Sequence, residues 1–294
     1  MPLVHRFAHL AMGTTFEVMI AGCDGGYASQ VSQALFREVD RIERLLSRFN
    51  PCSEISQINR LKPGQSLPIG IETFECLKIG EEIRTQTDGA FNLNFRSLAK
   101  YRINAIASIE LSRKPRGFEV RFQSPQVGQS SENLSLDLGG IGKGYALDKA
   151  LAVFSDWNID CALIHGGTST AIAVDSPPDL GSEGRGWPVG VGGVWPCRQA
   201  PRRFFLKGRA LSGSGTEVKG KHIFNPRKGL PPARGHLAAW ASHPSAAVAD
   251  ALSTAFMVMS TEEVENYCKR HPDVWALVIL DPETCRTFSD NLRE

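Results

Sequence analysis

Strand-like segments occur in consecutive groups along this 294-residue chain, rather than alternating one for one with helices. Residues 4–21 predict two short strands, in which Phe16, Val18 and Ile20 alternate with Glu17 and Met19. Further strands are expected within 103–137 and at 161–165, 169–174, 187–194, 203–211 and 237–242. Runs of strands favour antiparallel sheets over a doubly wound parallel sheet. We therefore expect an α+β fold of antiparallel sheets with packed helices.

Apolar residues at helical spacing predict the helices that lie between these groups. A long amphipathic helix is expected from about Tyr27 to Phe49, where Asn50-Pro51 stops it. Others are expected after Ser53, from Ile71 to near Thr87, through Leu151, and over Pro244 to Met259; another helix and a strand pair follow at the C-terminus. Because no repeat, low-complexity tract or linker divides the sequence, we expect a single domain spanning residues 1–294.

Charge, hydropathy and cysteine spacing exclude several classes of protein. The 33 Lys and Arg residues nearly balance the 31 Asp and Glu residues, so no electrostatic argument favours nucleic acid or an anionic membrane as a partner. No apolar run approaches about 18 residues, so no membrane segment is expected. The seven cysteines form neither C-x-x-C pairs nor zinc-finger spacings. The first residues lack a signal-peptide pattern, which predicts a cytoplasmic protein or a chain trimmed of its leader.

The segment Asp137-Leu-Gly-Gly-Ile-Gly-Lys-Gly144 is the first candidate for chemistry. Its four glycines allow close backbone approach to a ligand and lead into a predicted helix N-terminus, which favours anions. Lys143 would add a positive charge where a phosphate would lie. The spacing matches neither G-x-G-x-x-G nor a Walker A loop. A tight strand-to-helix turn that needs small residues explains the same pattern.

Asp250-Ala-Leu-Ser-Thr254 is the second candidate and lies on a predicted helix. Positions i, i+3 and i+4 share one helical face, so Asp250, Ser253 and Thr254 present three oxygens together. This set suits a hard cation such as Mg²⁺, which takes one carboxylate and completes its octahedron with other oxygens. The alternative is a solvated helix face whose Ser and Thr hydroxyls bond back to the helix.

His222-Ile-Phe-Asn-Pro-Arg-Lys-Gly229 is a third candidate, and two phenylalanines form a fourth. His222 could act as a general base beside an anion site. The same segment could be a hairpin turn made by Asn225-Pro226 and closed by Gly229. Phe49 and Phe91 could stack on a flat ring, although buried aromatic side chains more often belong to a core.

Nine motifs between about residue 9 and residue 260 carry a family resemblance through their order and residue types: Met12-Gly-Thr14, Leu46-Ser-Arg-Phe49 with Ser53-Glu-Ile-Ser56, Gly89-Ala-Phe-Asn92, Leu136-Asp-Leu-Gly-Gly-Ile-Gly-Lys-Gly-Tyr-Ala146, His165-Gly-Gly167, Trp187-Pro-Val-Gly-Val191, Ser212-Gly-Ser214, His222-Ile-Phe-Asn-Pro-Arg-Lys-Gly229 and Ala249-Asp-Ala-Leu-Ser-Thr-Ala255. Together they resemble the ApbE family of FAD:protein FMN transferases. The resemblance implies two closely joined subdomains around an FAD cleft.

The resemblance also implies an activity and a set of site residues. Members of this family move FMN from FAD onto a Thr or Ser hydroxyl of an acceptor protein, release AMP and use a divalent cation, usually Mg²⁺. The implied metal ligands are the Gly140 carbonyl, Asp250, Ser253 and Thr254. The implied FAD contacts are Met12, Phe49, Ala90, Phe91, Asn92, Asp137, Lys143 and His222. His222 would act as the base, Lys143 would hold negative oxygens, and Asp250 would hold the cation.

Two alternatives and two departures accompany this hypothesis. Some members hydrolyse FAD to FMN and AMP, so an FAD pyrophosphatase is one alternative. A non-catalytic FAD-binding module is the other. Positions 92 and 225 are Asn where the family usually has Asp. Because Asn keeps the shape and one acceptor oxygen, we interpret both as residues that shape turns.

Overall fold

The protein was analysed as a computed structural model that describes residues 3–94, 108–123, 134–175, 185–191, 203–215, 224–227 and 236–289. The helices in these ranges are α1 Gly25–Leu46, α2 Glu54–Ile58, α3 Ile71–Gln86, α4 Gly142–Asp156, α5 Ala246–Phe256 and α6 Thr261–Arg270. The strands are β1 Val4–Ala11, β2 Thr14–Ala21, β3 Ser66–Ile69, β4 Ile109–Lys114, β5 Gly117–Phe122, β6 Ala162–Gly166, β7 Thr170–Ala173, β8 Trp187–Gly190, β9 Arg203–Leu206, β10 Arg209–Gly215, β11 Ala238–His243, β12 Trp275–Ile279 and β13 Cys285–Phe288.

The described strands form three antiparallel sheets. The largest has eight strands in the order β1-β2-β6-β7-β10-β11-β12-β13. A three-stranded sheet has the order β3-β5-β4, and β8 pairs with β9 in a two-stranded ribbon. Each pair of neighbours is antiparallel. The predicted α+β fold with antiparallel sheets is therefore confirmed.

Helices α1 and α4 pack against each other and share a core with residues of strands β2, β6 and β7 in the large sheet. The stripe formed by Val31, Leu35 and Val39 on α1 is fully buried, as its helical spacing predicted. Asp24 caps this helix by accepting hydrogen bonds from the Gly26 and Tyr27 N–H groups. The helix ends at Leu46, three residues before the predicted end.

Two further cores complete the packing. The β8–β9 ribbon supplies Trp187, Phe204 and Leu206 to a core with Leu211 and Trp275 from the large sheet. The other core joins α2, α3 and the three-stranded sheet to α5, α6 and residues of β11 and β12. Helix α5 therefore lies between this core and the large sheet, in contact with α3, α4, β10 and β11.

Three sequence predictions about individual elements need correction. The predicted strand at 203–211 is two strands, β9 and β10, which belong to different sheets, because the chain bends at Lys207-Gly208, where Gly208 has a φ of +60°. Strand β3 was missed, since its four residues include Pro68 and pair only with β5. Helix α4 continues to Asp156, beyond the predicted Leu151. In the predicted strand region 103–137, the structure has strands β4 and β5, whereas residues 134–137 are not a strand. Residues 103–107 and 124–133 of that region lie outside the described residues, as do 176–184.

Hydropathy along the described helices agrees with the sequence. Within the described ranges, no helix is both long enough and apolar enough to cross a bilayer.

Candidate functional site

Helices α4 and α5 approach each other unusually closely at their N-terminal ends, and Gly144 makes this possible. A Cβ atom added at Gly144 would collide with the backbone of Ala246 and Ala247. Each helix also sends one carboxylate to the first turn of the other. Asp250 of α5 accepts a hydrogen bond from the Gly144 N–H at 3.1 Å. Asp148 of α4 accepts bonds from the Ala246 and Ala247 N–H groups. These carboxylates therefore satisfy helix N–H groups that lack partners within their own helix.

Asp250 lies at the centre of the candidate site and is only 3% exposed. Its Oδ1 atom lies 3.1 Å from Ser212 Oγ and 3.3 Å from Thr170 Oγ1. Its Oδ2 atom accepts from the Gly144 N–H and lies 3.5 Å from Lys143 Nζ. Hydroxyl groups thus surround one carboxylate oxygen, whereas the other faces the glycine-rich segment and its lysine.

The hydroxyl cluster, defined as Thr170, Ser212, Ser214, Ser253 and Thr254, lies against Asp250. Thr170 on β7 and Ser212 on β10 are register partners, and their hydroxyl oxygens are 2.9 Å apart. Ser214 lies two residues further along β10, on the same face, 2.9 Å from Ser253. Ser253 and Thr254 both donate to the Asp250 main-chain carbonyl, at 2.9 and 3.3 Å. Asp250 and Ser253 are buried against the sheet and Thr254 is partly buried, so this face is not a solvated one, but both hydroxyls bond back to the helix as the alternative interpretation expected.

The glycine-rich segment lies directly beside this cluster. A Cβ added at Gly140 would lie 3.1 Å from Thr254 Oγ1 and 3.3 Å from Phe91 Cε2. Asp137 Oδ1 accepts from the Gly139 N–H at 2.9 Å and so closes the turn. Lys143 Nζ donates to the Gly139 carbonyl at 3.4 Å. The fold thus brings Gly140, Lys143, Asp250 and Thr254 together.

Arg48 connects the glycine-rich segment to the end of α1. Its Nε atom lies 3.1 Å from Asp137 Oδ2, and its guanidinium carbon lies 4.0 Å from the centre of the Phe49 ring. The Phe49 side chain is 79% exposed, so its ring is available to stack on a planar ligand. Met12 occupies the turn between β1 and β2 with a φ of +51°. Ala90 and Phe91 are buried in the core that includes α3 and α5.

Asn92 and Asn225 both occupy turns. Asn92 Oδ1 accepts from the Asn94 N–H, and Asn225 Oδ1 accepts from the Arg227 N–H, each at 2.9 Å. An Asp carboxylate could accept the same bonds, so both contacts agree with a turn-shaping interpretation. Asn92 is 6% exposed, and its Nδ2 atom has no hydrogen-bond partner among the described residues.

His222 lies outside the described residues. Residues 225–227, three to five positions after it, are described, and Arg227 anchors them. Arg227 donates to the carbonyls of Thr87 and Asp88 and to Glu263 Oε1. Burial alone would raise the pKa of Glu263, but its bonds with Ser260 and Arg227 hold that pKa below the usual value. Arg227 therefore fixes this segment to the end of α3 and to α6.

The donors around Asp250 decide which cation this site could hold. Among the described residues, no group of three or more His, Cys, Asp or Glu side chains could hold a metal ion. The Asp250 region instead offers one carboxylate, the hydroxyl cluster and the adjacent Gly140 backbone. Such an oxygen-only set with a single carboxylate fits Mg²⁺, which usually completes its shell with water and substrate phosphates.

Sequence reasoning missed Thr170, Ser212, Ser214 and Arg48 as neighbours of this site. The Ser-Gly-Ser alternation at 212–214 was a usable signal, because residues i and i+2 of a strand share one face. Arg48 stands in the motif Leu46-Ser-Arg-Phe49 but was not assigned to the site, and Thr170 carried no comparable signal. Each reaches the site through a contact between residues distant in sequence, 80 residues apart for Thr170 and Asp250.

Comparisons with known proteins give relatives along nearly the whole chain. An FAD:protein FMN transferase from Salmonella typhimurium is 21% identical over 301 residues, covering 94% of this chain and 85% of the relative. One from Klebsiella pneumoniae is 25% identical over 249 residues, covering 78% and 74%.

Solved structures show the same fold. The flavinyl transferase ApbE from Pseudomonas stutzeri, in its apo form, superposes with a TM-score of 0.79 at 21% identity and covers 100% of this chain and 98% of its own. The ApbE protein of Thermotoga maritima gives a TM-score of 0.77 at 22% identity, covering 99% and 100%.

The family model gives the assignment. The model described as the ApbE family matches residues 12–278, which include the turn at Met12, the glycine-rich segment and α5 with Asp250. The chain belongs to the ApbE family.

Proposed function

We propose that this protein transfers FMN from FAD to a Thr or Ser hydroxyl of an acceptor protein, releases AMP and uses Mg²⁺. One observation carries the proposal: the buried carboxylate of Asp250 lies beside Lys143, the glycine-rich segment and the hydroxyl cluster. The names of the relatives, FAD:protein FMN transferase, support the same activity.

The proposed cation ligands are Asp250, Thr254, Ser253 and the Gly140 carbonyl. When bound, Mg²⁺ would draw charge from the pyrophosphate oxygens and make AMP a better leaving group. The choice of Mg²⁺ as the cation is supported by the oxygen-only donor set and by the absence of a His- or Cys-containing cluster among the described residues.

The protein's own groups would bind and orient the anion. Lys143 Nζ reaches the Asp250 carboxylate and the Gly139 carbonyl, so it can add positive charge to a phosphate bound beside the loop. Ile141 provides no side-chain cap for α4, but the Gly142 and Gly144 N–H groups already bond to the Leu138 carbonyl and to Asp250, so the helix dipole and Lys143 rather than free N–H groups would attract an anion to this end. We further propose Phe49 as a stacking surface and Met12, Ala90, Phe91, Asn92 and Asp137 as further FAD contacts.

The proposed reaction forms a bond between the acceptor oxygen and the phosphorus of the FMN unit. The bond from that phosphorus to the bridging oxygen breaks, and AMP leaves with the electron pair. We propose His222 as the base that takes the proton of the acceptor hydroxyl, because a neutral imidazole suits this task near pH 7. Most of the rate should then come from positioning and charge neutralisation.

The direct test combines purified protein, FAD, Mg²⁺ and a candidate acceptor. Expected products are AMP in solution and an acceptor whose mass has increased by covalent FMN. Free FMN and AMP without an acceptor would instead identify an FAD pyrophosphatase. Bound FAD with no AMP would identify a binding module. An Asp250→Ala variant with full activity would contradict the proposed cation site.

A further inference from the structure

Residues 134–138, here called the approach segment, lead into the glycine-rich turn but lie outside the three sheets of the described residues. Leu134, Leu136 and Leu138 are at most 5% exposed, whereas Ser135 and Asp137 between them are partly exposed. This alternation is typical of a strand. Because no neighbouring strand flanks it, the backbone of the approach segment must find its hydrogen-bond partners elsewhere.

Asn59, at the C-terminal end of α2, provides two of these partners. Its Oδ1 atom accepts from the Leu136 N–H at 2.7 Å, and its Nδ2 atom donates to the Leu136 carbonyl at 3.0 Å. The next N–H, that of Asp137, bonds instead to the Leu93 carbonyl at 2.8 Å. One amide side chain therefore pairs with both backbone groups of a single residue, as a neighbouring strand would.

This pairing sets the register of the approach segment. Successive side chains of such a segment face opposite sides, so a slip of one residue would exchange the buried leucine side for the side of Asp137. In the observed register, Asp137 meets Arg48 at 3.1 Å and closes the turn at Gly139. The register therefore decides where Asp137 and the following Gly140 lie.

Helix α2 also holds the opposite partner of Asp137. Ser56 Oγ donates to the Arg48 carbonyl at 3.1 Å, and the Arg48 side chain reaches Asp137. Two side chains of one short helix region, Ser56 and Asn59, thus fix the two groups that hold consecutive residues of the approach segment. A shift of the Asn59 contact would move the glycine-rich segment relative to α1.

We propose that Asn59 is a positioning residue for FMN transfer, because its pairing with Leu136 sets the register in which Asp137 and the glycine-rich segment meet FAD. Asn59 acts through the backbone of the approach segment. The inference rests on the proposed function, which includes Asp137 and Gly140 in the site. Loss of the pairing should therefore slow transfer in protein that remains folded.

The test compares Asn59→Ala and Asn59→Asp with the wild type, after thermal unfolding has shown that each variant is folded. AMP release at saturating FAD, Mg²⁺ and acceptor gives kcat, and quenching of flavin fluorescence gives the dissociation constant of FAD. Asn59→Ala should lower kcat by about 10²-fold, the cost typical of a misplaced reacting group. The dissociation constant of FAD should rise by a smaller factor.

Asn59→Asp provides a pH-dependent rescue that a merely structural role would not give. The ionised carboxylate can accept from the Leu136 N–H but repels the Leu136 carbonyl, whereas a protonated carboxyl offers one acceptor and one donor, as the amide does. The facing carbonyl raises the pKa of this carboxyl above the usual value of about 3.9. The kcat of Asn59→Asp, relative to wild type at the same pH, should therefore recover as the pH falls from about 8 to about 5. That of Asn59→Ala should not.

Glu54→Ala is the matched control on the same helix. Both carboxylate oxygens of Glu54 accept from the Gly70 N–H, at 3.0 and 3.1 Å, so this side chain also joins α2 to a distant segment. The variant should lower the melting temperature and keep the wild-type kcat. If Asn59→Ala does not fold, the pH dependence of Asn59→Asp decides the inference.

Three results would overturn the inference and leave the proposed function intact. They are a wild-type kcat in folded Asn59→Ala, no recovery of Asn59→Asp at low pH, and an equal loss of kcat in Glu54→Ala. A wild type that binds FAD but releases no AMP would contradict the proposed function instead. The same comparison of variants, made on the dissociation constant of FAD, would then decide the inference.

Discussion

Asp148 and Asp250 occupy equivalent positions in the crossing of α4 and α5, since each carboxylate bonds to the first turn of the opposite helix. Their remaining partners differ. Within the described residues, Asp148 accepts from Ser245 and from two helix N–H groups, and all three bonds join the two helices. Asp250 has one N–H partner and otherwise faces hydroxyls and Lys143. The comparison indicates that Asp148 stabilises the fold, whereas Asp250 is available for chemistry.

The largest effect is expected from Asp250→Asn. The substitution removes the only carboxylate in the proposed cation site, so FMN transfer should fall about 10²–10³-fold, the cost typical of losing one charge-stabilising group. The free energy of unfolding should change little, because the Ser212 and Thr170 hydroxyls can rotate to accept a hydrogen bond from the new amide. AMP release and thermal unfolding measure the two effects. Full activity in this variant would invalidate the distinction between the two aspartates.

Asp148→Asn is the matched substitution and should lower the stability of the fold while it leaves the activity nearly unchanged. Its new amide N–H₂ would face N–H donors of α5, and the free energy of unfolding should fall by about 1–3 kcal/mol. The activity of the folded protein should stay near that of the wild type. Chemical denaturation with parallel AMP assays would check this. A stable but inactive variant would show that Asp148 also serves the reaction.

Gly144→Ala tests the close helix approach on which both contacts depend. The added methyl group would press against the Ala246 backbone and force the helices apart, with an expected cost of about 1–3 kcal/mol in unfolding free energy. Gly142→Ala is the control, because a Cβ there meets only Leu138 Cβ at 3.7 Å, an ordinary contact. Equal melting temperatures for the two variants would contradict the proposed packing constraint.

The smallest effect concerns pH and the other end of α5, where His236 bonds to the Phe256 carbonyl at 2.6 Å. Burial lowers the pKa of His236 below 6.5, although the bond to Phe256 partly opposes this. The unfolded chain therefore binds a proton below pH 6.5 that the folded protein resists, and stability falls as the pH drops. The slope for one proton is at most about 1.4 kcal/mol per pH unit.

His236→Asn removes this titration and keeps an N–H donor for Phe256. The stability advantage of the wild type over the variant should shrink between about pH 7.5 and about pH 5.5. Denaturation curves at several pH values give this difference directly. A pH-independent difference would show that His236 does not titrate differently in the folded protein.

Much of the fold was predictable because local periodicity reports burial. The alternation in β2 and the apolar stripe on α1 placed both elements correctly, and α2 begins directly after Ser53, where a helix was expected. Elements that the sequence missed or merged were short. Strand β3 has only four residues, and β9 and β10 are divided by a turn of two residues. A short strand without a complete alternation gives too few residues to define a period.

The candidate site likewise has features that the sequence could predict and features that it could not. The common face of Asp250, Ser253 and Thr254 was predictable, because helical geometry fixes residues three and four apart. The glycine-rich segment was predictable as the turn that opens α4, although the residues 134–138 before it are not a strand, and the need for Gly144 was not predictable. That need arises from the Ala246 backbone, which contacts it from another helix.

The sequence by itself determined the types of secondary structure, the residues that share each face and, through ordered motifs, the family resemblance. Only the tertiary structure decided which faces meet. The bond between Gly144 and Asp250 joins residues 106 positions apart, and that between Thr170 and Asp250 joins residues 80 positions apart. Periodicity describes neighbours within one element, whereas such contacts depend on sheet order and helix crossing. The different roles that we infer for Asp148 and Asp250 therefore come from packing and not from residue type.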